Sequence, residues 1–172
     1  MFNKIINRIR INKWKKEGLI VGENFQLERN SFIDSSFPWM IEIGDNVTIA
    51  PDTLVLCHDG STKKIIGYSK IGKVIIGNNV FIGAKSIILP GTRIGNNVVI
   101  AAGSVVKGKL ESNYVYGGVL AHKIKSLDEY KKEQDNLLKN SKSYDLSFTK
   151  KGKITKEKKE QMKKDDNQSY VI

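Results

Sequence analysis

The sequence predicts an all-β solenoid of short parallel strands, with helical segments at its N- and C-terminal ends. Three observations predict it. An aliphatic residue recurs every six positions from Val21 onward, a small, β-branched or hydroxyl residue recurs four places after it, and Gly, Asn and Asp gather between the two. The six-residue steps begin at Val21, Leu27 and Ile33, and resume four residues late at Ile43, Ile49 and Val55. They then run from Ile76 through Ile82, Ile88, Ile94 and Ile100 to Val106.

Each step reads as a short strand followed by a tight corner. The leading aliphatic residue points inward and stacks on its equivalent in the next coil. Val47, Thr53, Val80, Ser86, Thr92, Val98 and Ser104 fill a second inward place, as β propensity favours. Gly and Asn tolerate the left-handed backbone that corners demand. Three steps close one triangular coil, and coils of this kind are stable only when stacked, with both ends covered. An antiparallel sandwich would space its strands by roughly 8–12 residues, so a period of six argues against one.

The flanks follow from composition. Residues 1–18 form a basic N-terminal segment in which Phe2, Ile5, Ile6 and Ile9 fall at helical spacing. That pattern suits a helix capping the first coil, or a basic amphipathic helix on an anionic membrane. Residues 19–120 form the coiled domain. From Val55 to Ile76 the frame breaks, and residues 59–73 are expected to leave the coil as a loop just after His58. Residues 121–140 are expected to be helical, with Ser126 and Glu129 at capping-box spacing. Residues 141–172 form a lysine-rich tail, expected to be weakly ordered with a short helix at 155–164.

The formal net charge of +11 in 172 residues invites a nucleic-acid reading until it is located. Residues 1–16 hold six basic side chains and no acid, residues 150–164 hold eight lysines against two glutamates, and residues 17–149 carry only +1. A nucleic-acid binder wears a basic stripe across its domain; here the charge sits on the ends, so no nucleic acid is expected. With one cysteine, Cys57, no internal disulfide forms. No apolar run suits a membrane span or a signal peptide, and a cytoplasmic location is the expectation.

Chemistry points to "LCHDGST", where His58 stands at the mouth of the loop. A hydroxyl that is to act as a nucleophile needs a base to take its proton. Histidine is the side chain type best suited to that work near neutral pH, and a positioned base contributes about 10²–10⁴-fold. Asp59 could orient the imidazole or cap the loop. Neighbouring strand residues face opposite ways, so Cys57 reads as buried packing rather than as a nucleophile.

Residues 33–125 resemble the hexapeptide-repeat acyltransferases, in the group of maltose and galactoside O-acetyltransferases and polysaccharide-acetylating enzymes. The segments that carry the resemblance are "IDSSFPWMIEIGDNVTIAPDTLVLCHDGST", "KIGKVIIGNNVFIGAKSIILPGTRIGNNVVIAAGSVVKG" and "VYGGVLAHKIKSL". The resemblance implies a left-handed parallel β-helix, a homotrimer with sites between subunits, and acetyl transfer from acetyl-CoA to a saccharide acceptor without a metal. His58 matches the family's catalytic base. Asp34, Trp39 and Asp59 match acceptor-side positions. Phe81, Ala84, Ala102, Lys107, His122 and Lys125 match or adjoin positions that contact the coenzyme, the N–H of Ala84 being a candidate to stabilise the oxyanion. Two departures stand out: Gly118-Val119-Leu120-Ala121-His122 lacks the family's usual proline and basic residue, and Ala101 replaces a usual glycine.

The leading expectation is therefore an acetyl-CoA-dependent O-acetyltransferase acting on a sugar hydroxyl of a capsule, lipopolysaccharide or small saccharide. N-acetylation of an amino sugar nucleotide is an alternative on the same scaffold. A non-catalytic β-helix, meeting partners or a membrane surface weakly through its basic ends, is an alternative of another class. Carbonic anhydrase chemistry would need about three histidine ligands, and the chain has two histidines.

Overall fold

The computed structural model describes residues 2–165 and 168–172. The chain forms two compact units, Met1–Leu127 and Asp128–Ile172. The first unit opens with helix α1 (Phe2–Lys16) and continues as a coil of very short strands. Its first turn holds β1 (Ile20–Val21), β2 (Gln26–Leu27) and β3 (Phe32–Ile33); its second holds β4 (Ile41–Ile43), β5 (Thr48–Ile49) and β6 (Leu54–Val55). An excursion follows, made of β7 (His58–Asp59), helix α2 (Lys63–Ile66) and β8 (Lys70–Ile71). The coil resumes as β9 (Val74–Ile76), β10 (Val80–Ile82) and β11 (Ile87–Ile88), then β12 (Arg93–Ile94), β13 (Val98–Ile100) and β14 (Val105–Val106). It ends with β15 (Lys109–Leu110), β16 (Tyr114–Gly117) and β17 (His122–Ser126).

Successive strands visit three parallel sheets in turn. The first sheet orders β1-β4-β9-β12-β15, the second β2-β5-β10-β13-β16-β17, and the third β3-β6-β11-β14. Register follows the six-residue frame: Ile49, Ile82 and Ile100 align in the second sheet, and Val55, Ile88 and Val106 in the third. Of the twelve leading aliphatic residues, only Val21 in the outermost turn is not buried. The second inward residues, Val47 through Ser104, are at most 1% exposed. The hydroxyls among them are satisfied by corner carbonyls, as when Thr53 Oγ1 donates to Gly83 O at 3.1 Å. Small second-position residues are demanded by the stacking itself, since a Cβ on Gly77 would lie 2.8 Å from the Gly95 carbonyl carbon of the next turn.

The corner between the first and second sheets carries an asparagine ladder. Asn24, Asn46, Asn79, Asn97 and Asn113 all have positive φ, between 54° and 67°. The Nδ2 of each of the first four donates to the Oδ1 of the next turn at 2.9–3.1 Å. The preceding residue adds a second ladder, its side chain accepting a backbone N–H from the turn above (Asp45 from Glu23, Asn78 from Asp45, Asn96 from Asn78).

Both ends of the coil are covered. Asn7, Ile11 and Trp14, one stripe of α1, lie over the first turn, with Trp14 only 5% exposed and Asn7 Nδ2 donating to Leu27 O at 2.7 Å. At the other end β17 turns back antiparallel onto β16, covering an edge that would otherwise be bare. Residues 122–126 are therefore strand rather than the expected helix, which starts at Leu127 as α3 (Leu127–Lys139).

The second unit pairs β18 (Ser143–Tyr144) in parallel with β19 (Tyr170–Val171), flanking helix α4 (Lys156–Lys163), whose N-cap is Thr155. Tyr144 and Phe148 stack at 4.6 Å between ring centroids. The described residues of 141–172 thus have more structure than their lysine content suggested, because these aromatic residues supply a small apolar nucleus. No helix among the described residues is long and apolar enough to cross a membrane.

Candidate active site

The corner between the third and first sheets differs from turn to turn. The later turns close it with Gly91 and Gly108, at φ 80° and 83°. The first turn instead uses Asp34 to Met40, including a 3-10 turn at Pro38–Met40, and the second uses the excursion that begins at Cys57. These two irregular corners lie on adjacent turns, and they touch.

Asp34 is fully buried. Its Oδ2 lies 2.5 Å from His58 Nδ1 and accepts from the backbone N–H groups of Cys57 and His58, both at 3.2 Å. The Cys57 thiol donates to the same oxygen at 3.4 Å, and Ser36 N–H donates to Oδ1 at 3.1 Å. Burial alone would raise the Asp34 pKa, but the His58, Ser36 and Cys57 hydrogen bonds together hold it below the ordinary aspartate value. Burial and the adjacent Asp34 charge push the Cys57 thiol up to about 12, so it stays protonated and packs as an inert residue.

An ionised Asp34 can only accept, so Nδ1 of a neutral His58 carries the ring proton and Nε2 carries the lone pair. Nε2 has no hydrogen-bond partner among the described residues, and the side chain is 36% exposed. The Phe37 ring stands edge-on to the imidazole at 5.6 Å. The site therefore presents one oriented ring nitrogen to solvent beside an apolar wall.

The other residues singled out from the sequence fall into groups. Asp34, expected on the acceptor side, instead turns its carboxylate inward onto His58. Asp59 does not face the imidazole; it accepts from Ser61 N–H at 2.8 Å and pairs with Lys70 at 3.5 Å, closing the loop. Trp39 is 56% exposed and packs edge-on to Phe37. Phe81 projects from the second sheet, 46% exposed, and His122 and Lys125 lie on β17 at the far end of that sheet. Ala84 and Ala102 occupy the corner between the second and third sheets on adjacent turns. Gly83 and Lys85 donate to the neighbouring turns, whereas Ala84 N–H between them has no partner among the described residues. Lys107 stands one corner further on, in register with Leu89 and Leu56 rather than with the alanines.

Within one chain, the whole width of the third sheet separates the His58 corner from the Ala84 corner. The excursion is also more ordered than a loop: β7 and β8 pair antiparallel, with His58 opposite Ile71, and Gly72 N–H donates to Cys57 O at 2.9 Å. The Asp34–His58 pair is the feature that reading the sequence missed. Its signal was available, because both frame breaks follow a third step and so fall at the same corner.

Repeat, corner and imidazole together define a transferase of the hexapeptide-repeat class. Residues 73–108 match the family described as bacterial transferase hexapeptide (six repeats). Protein CapG of Staphylococcus aureus is 38% identical over 138 residues, covering 76% of this chain and 79% of CapG. The chain belongs to the hexapeptide-repeat acyltransferase family. Among solved structures, a maltose O-acetyltransferase from Clostridium difficile 630 superposes with a TM-score of 0.56 at 38% identity, over 63% of this chain and 59% of that one. A galactoside acetyltransferase in complex with coenzyme A gives 0.53 at 32%, over 65% and 62%. The chain thus spans about three fifths of each of these two solved chains.

Proposed function

We propose that the protein is an acetyl-CoA-dependent O-acetyltransferase acting on a saccharide hydroxyl, with His58 as general base and Asp34 as the residue that orients it. One observation carries the reading: a buried carboxylate holds Nδ1, leaving Nε2 free at the mouth of the excursion. Nε2 takes the acceptor hydroxyl proton as the oxygen attacks the thioester carbonyl carbon. Collapse of the tetrahedral intermediate breaks the C–S bond, and the imidazolium returns the proton to the departing thiolate. The unpartnered Ala84 N–H is suited to hold the oxyanion. The named activities of the maltose and galactoside enzymes, and the coenzyme A in one of those structures, support this donor and acceptor class.

The reading includes a left-handed coil and a homotrimer of parallel prisms, which follow the family pattern. The separation of His58 from Ala84 within one chain supports the trimer, since neighbouring prisms can bring His58 of one chain to Ala84 of another. Phe81 and Ala102 then line the pantetheine arm, His122, Lys125 and Lys107 lie toward the phosphates, and Trp39 offers a face to the sugar. Asp59 serves the loop.

The test is thiol release from acetyl-CoA across a panel of saccharides and amino sugars. Wild-type protein acetylates a hydroxyl; His58→Ala remains trimeric and binds acetyl-CoA but loses about 10²–10⁴-fold in kcat. Transfer only to amines, or undiminished turnover by the variant, would overturn the assignment.

A further inference from the structure

α1 has two faces, and among its described side chains only one face packs on the coil. Asn7, Ile11 and Trp14 rest on the first turn of the coil. Ile6, Ile9, Lys13 and Lys16 fall on the opposite stripe, at the three- and four-residue spacing that puts side chains on one face. Ile9 is 64% exposed and Ile6 38%, and Lys13 and Lys16 are also exposed. Arg8 and Lys15 lie along the flank, beside a cleft bordered by Phe25 and Gln26. Residues 1–16 contain six cations and no acid. Among the described residues, an exposed ion pair on this face joins Lys13 to Glu17 at 3.8 Å, and such pairs are weak; Glu28 borders the cleft beside Arg8 and Lys15.

We propose that the outer face of α1 is a docking surface for an anionic membrane. Two isoleucines set among cations that outnumber the nearby carboxylates are the composition of an interfacial helix, apolar enough to enter the headgroup boundary and basic enough to be drawn to anionic lipid. The position of the helix argues against a second copy of the chain as the occupant. Contacts between parallel prisms run along their sides, whereas α1 lies over the open first turn. In the trimer proposed above, three copies of α1 lie at the same end by symmetry. Three weak anchors in one plane bind one surface with avidity.

Co-sedimentation of the full chain with vesicles tests this, comparing phosphatidylcholine alone with equal parts phosphatidylcholine and phosphatidylglycerol. The wild type pellets with the mixed vesicles only, and less as salt rises. Ile9→Ser/Lys13→Gln, which leaves the inner stripe intact, loses roughly tenfold or more in vesicle affinity, the lysine alone contributing about fivefold. Its circular dichroism and its transfer to soluble acceptors stay as in the wild type. The proposal fails if the wild type ignores the mixed vesicles, or if the double variant binds them equally well. It also fails if binding is lost instead in Lys156→Gln/Lys158→Gln/Lys159→Gln. A change in sedimentation coefficient in the α1 variant, without loss of vesicle binding, would overturn it in favour of contact between copies. Sedimentation velocity reads the trimer separately, so failure of the assembly and failure of the membrane contact are distinguishable.

Discussion

Two corners of the same coil solve the same geometric problem differently. At the first, five asparagines in the left-handed region pass one hydrogen bond from turn to turn, so every amide within the ladder answers another amide. At the second, the glycine corner is replaced on two adjacent turns by longer segments, and a buried carboxylate gathers the donors of both. The first corner stacks the turns and leaves little polar capacity unspent. The second concentrates charge and leaves one imidazole nitrogen spare. Regularity builds the prism, and chemistry collects where regularity is given up twice in register.

The largest expected break of this contrast is Asp34→Asn. Its amide cannot accept from Nδ1–H while also answering the Ser36 and Cys57 donors. The imidazole then loses the tautomer that frees Nε2, and kcat falls on the order of 10²–10⁴-fold with KM for acetyl-CoA unchanged. Acid denaturation reads the same residue. The folded-state pKa of Asp34 lies below its ordinary value, so the unfolded chain binds more protons at low pH. The stability it contributes is present above about pH 3.9 and is lost as pH falls through the lower native value. Equilibrium unfolding of the asparagine variant should lack that component, so the stability difference between the two proteins narrows in acid.

The asparagine corner should respond in stability and not in rate. Asn79→Ala keeps a Cβ at φ 55° but removes the side-chain amide that lets asparagine tolerate it, leaving a residue for which that region costs about 1–2 kcal/mol. It also severs the ladder between Asn46 and Asn97. Asn79→Gly relieves the strain but not the broken ladder, so the gap between the two variants separates the effects. The glycine variant should lose about 1 kcal/mol by denaturant unfolding. Acetyl transfer by both should match the wild type.

How legible this was differs between the two corners. Inward residues and corner asparagines repeat with the fold's own period, so each position is restated several times along the chain. Asp34 occurs once, and its partner is on the next turn. The resemblance placed Asp34 on the acceptor side, because nothing local says which way a carboxylate turns. The strand at 122–126 was hidden for a related reason: its partner is the edge of β16, which exists only once the coil is stacked. Residues 141–172 were read through their charge, and Tyr144 and Phe148 outweighed it.

Cys57 gives a smaller, qualitative check. With its thiol pushed up to about 12 and no exposed surface, it should resist iodoacetamide in the native protein at pH 8 and react once the chain is unfolded, as mass spectrometry would register. Rapid native labelling would mean that the Asp34 corner opens.

The smallest effect should come from the residue the sequence put next to the base. Asp59 and Asp34 are both carboxylates in reach of His58 by sequence or by space, and only the distant one faces it. Asp59 is held below its ordinary pKa by the Ser61 hydrogen bonds and then by Lys70, and it is only half-buried. Asp59→Asn retains a side-chain acceptor for Ser61 N–H and gives up only a screened charge pair. Its kcat should stay within about threefold of the wild type, with a slight fall in melting temperature. The decisive comparison sets this variant beside Asp34→Asn in one assay. If Asp59→Asn were the more damaging, orientation of the imidazole would belong to the loop, and the two irregular corners would be neighbours without being partners.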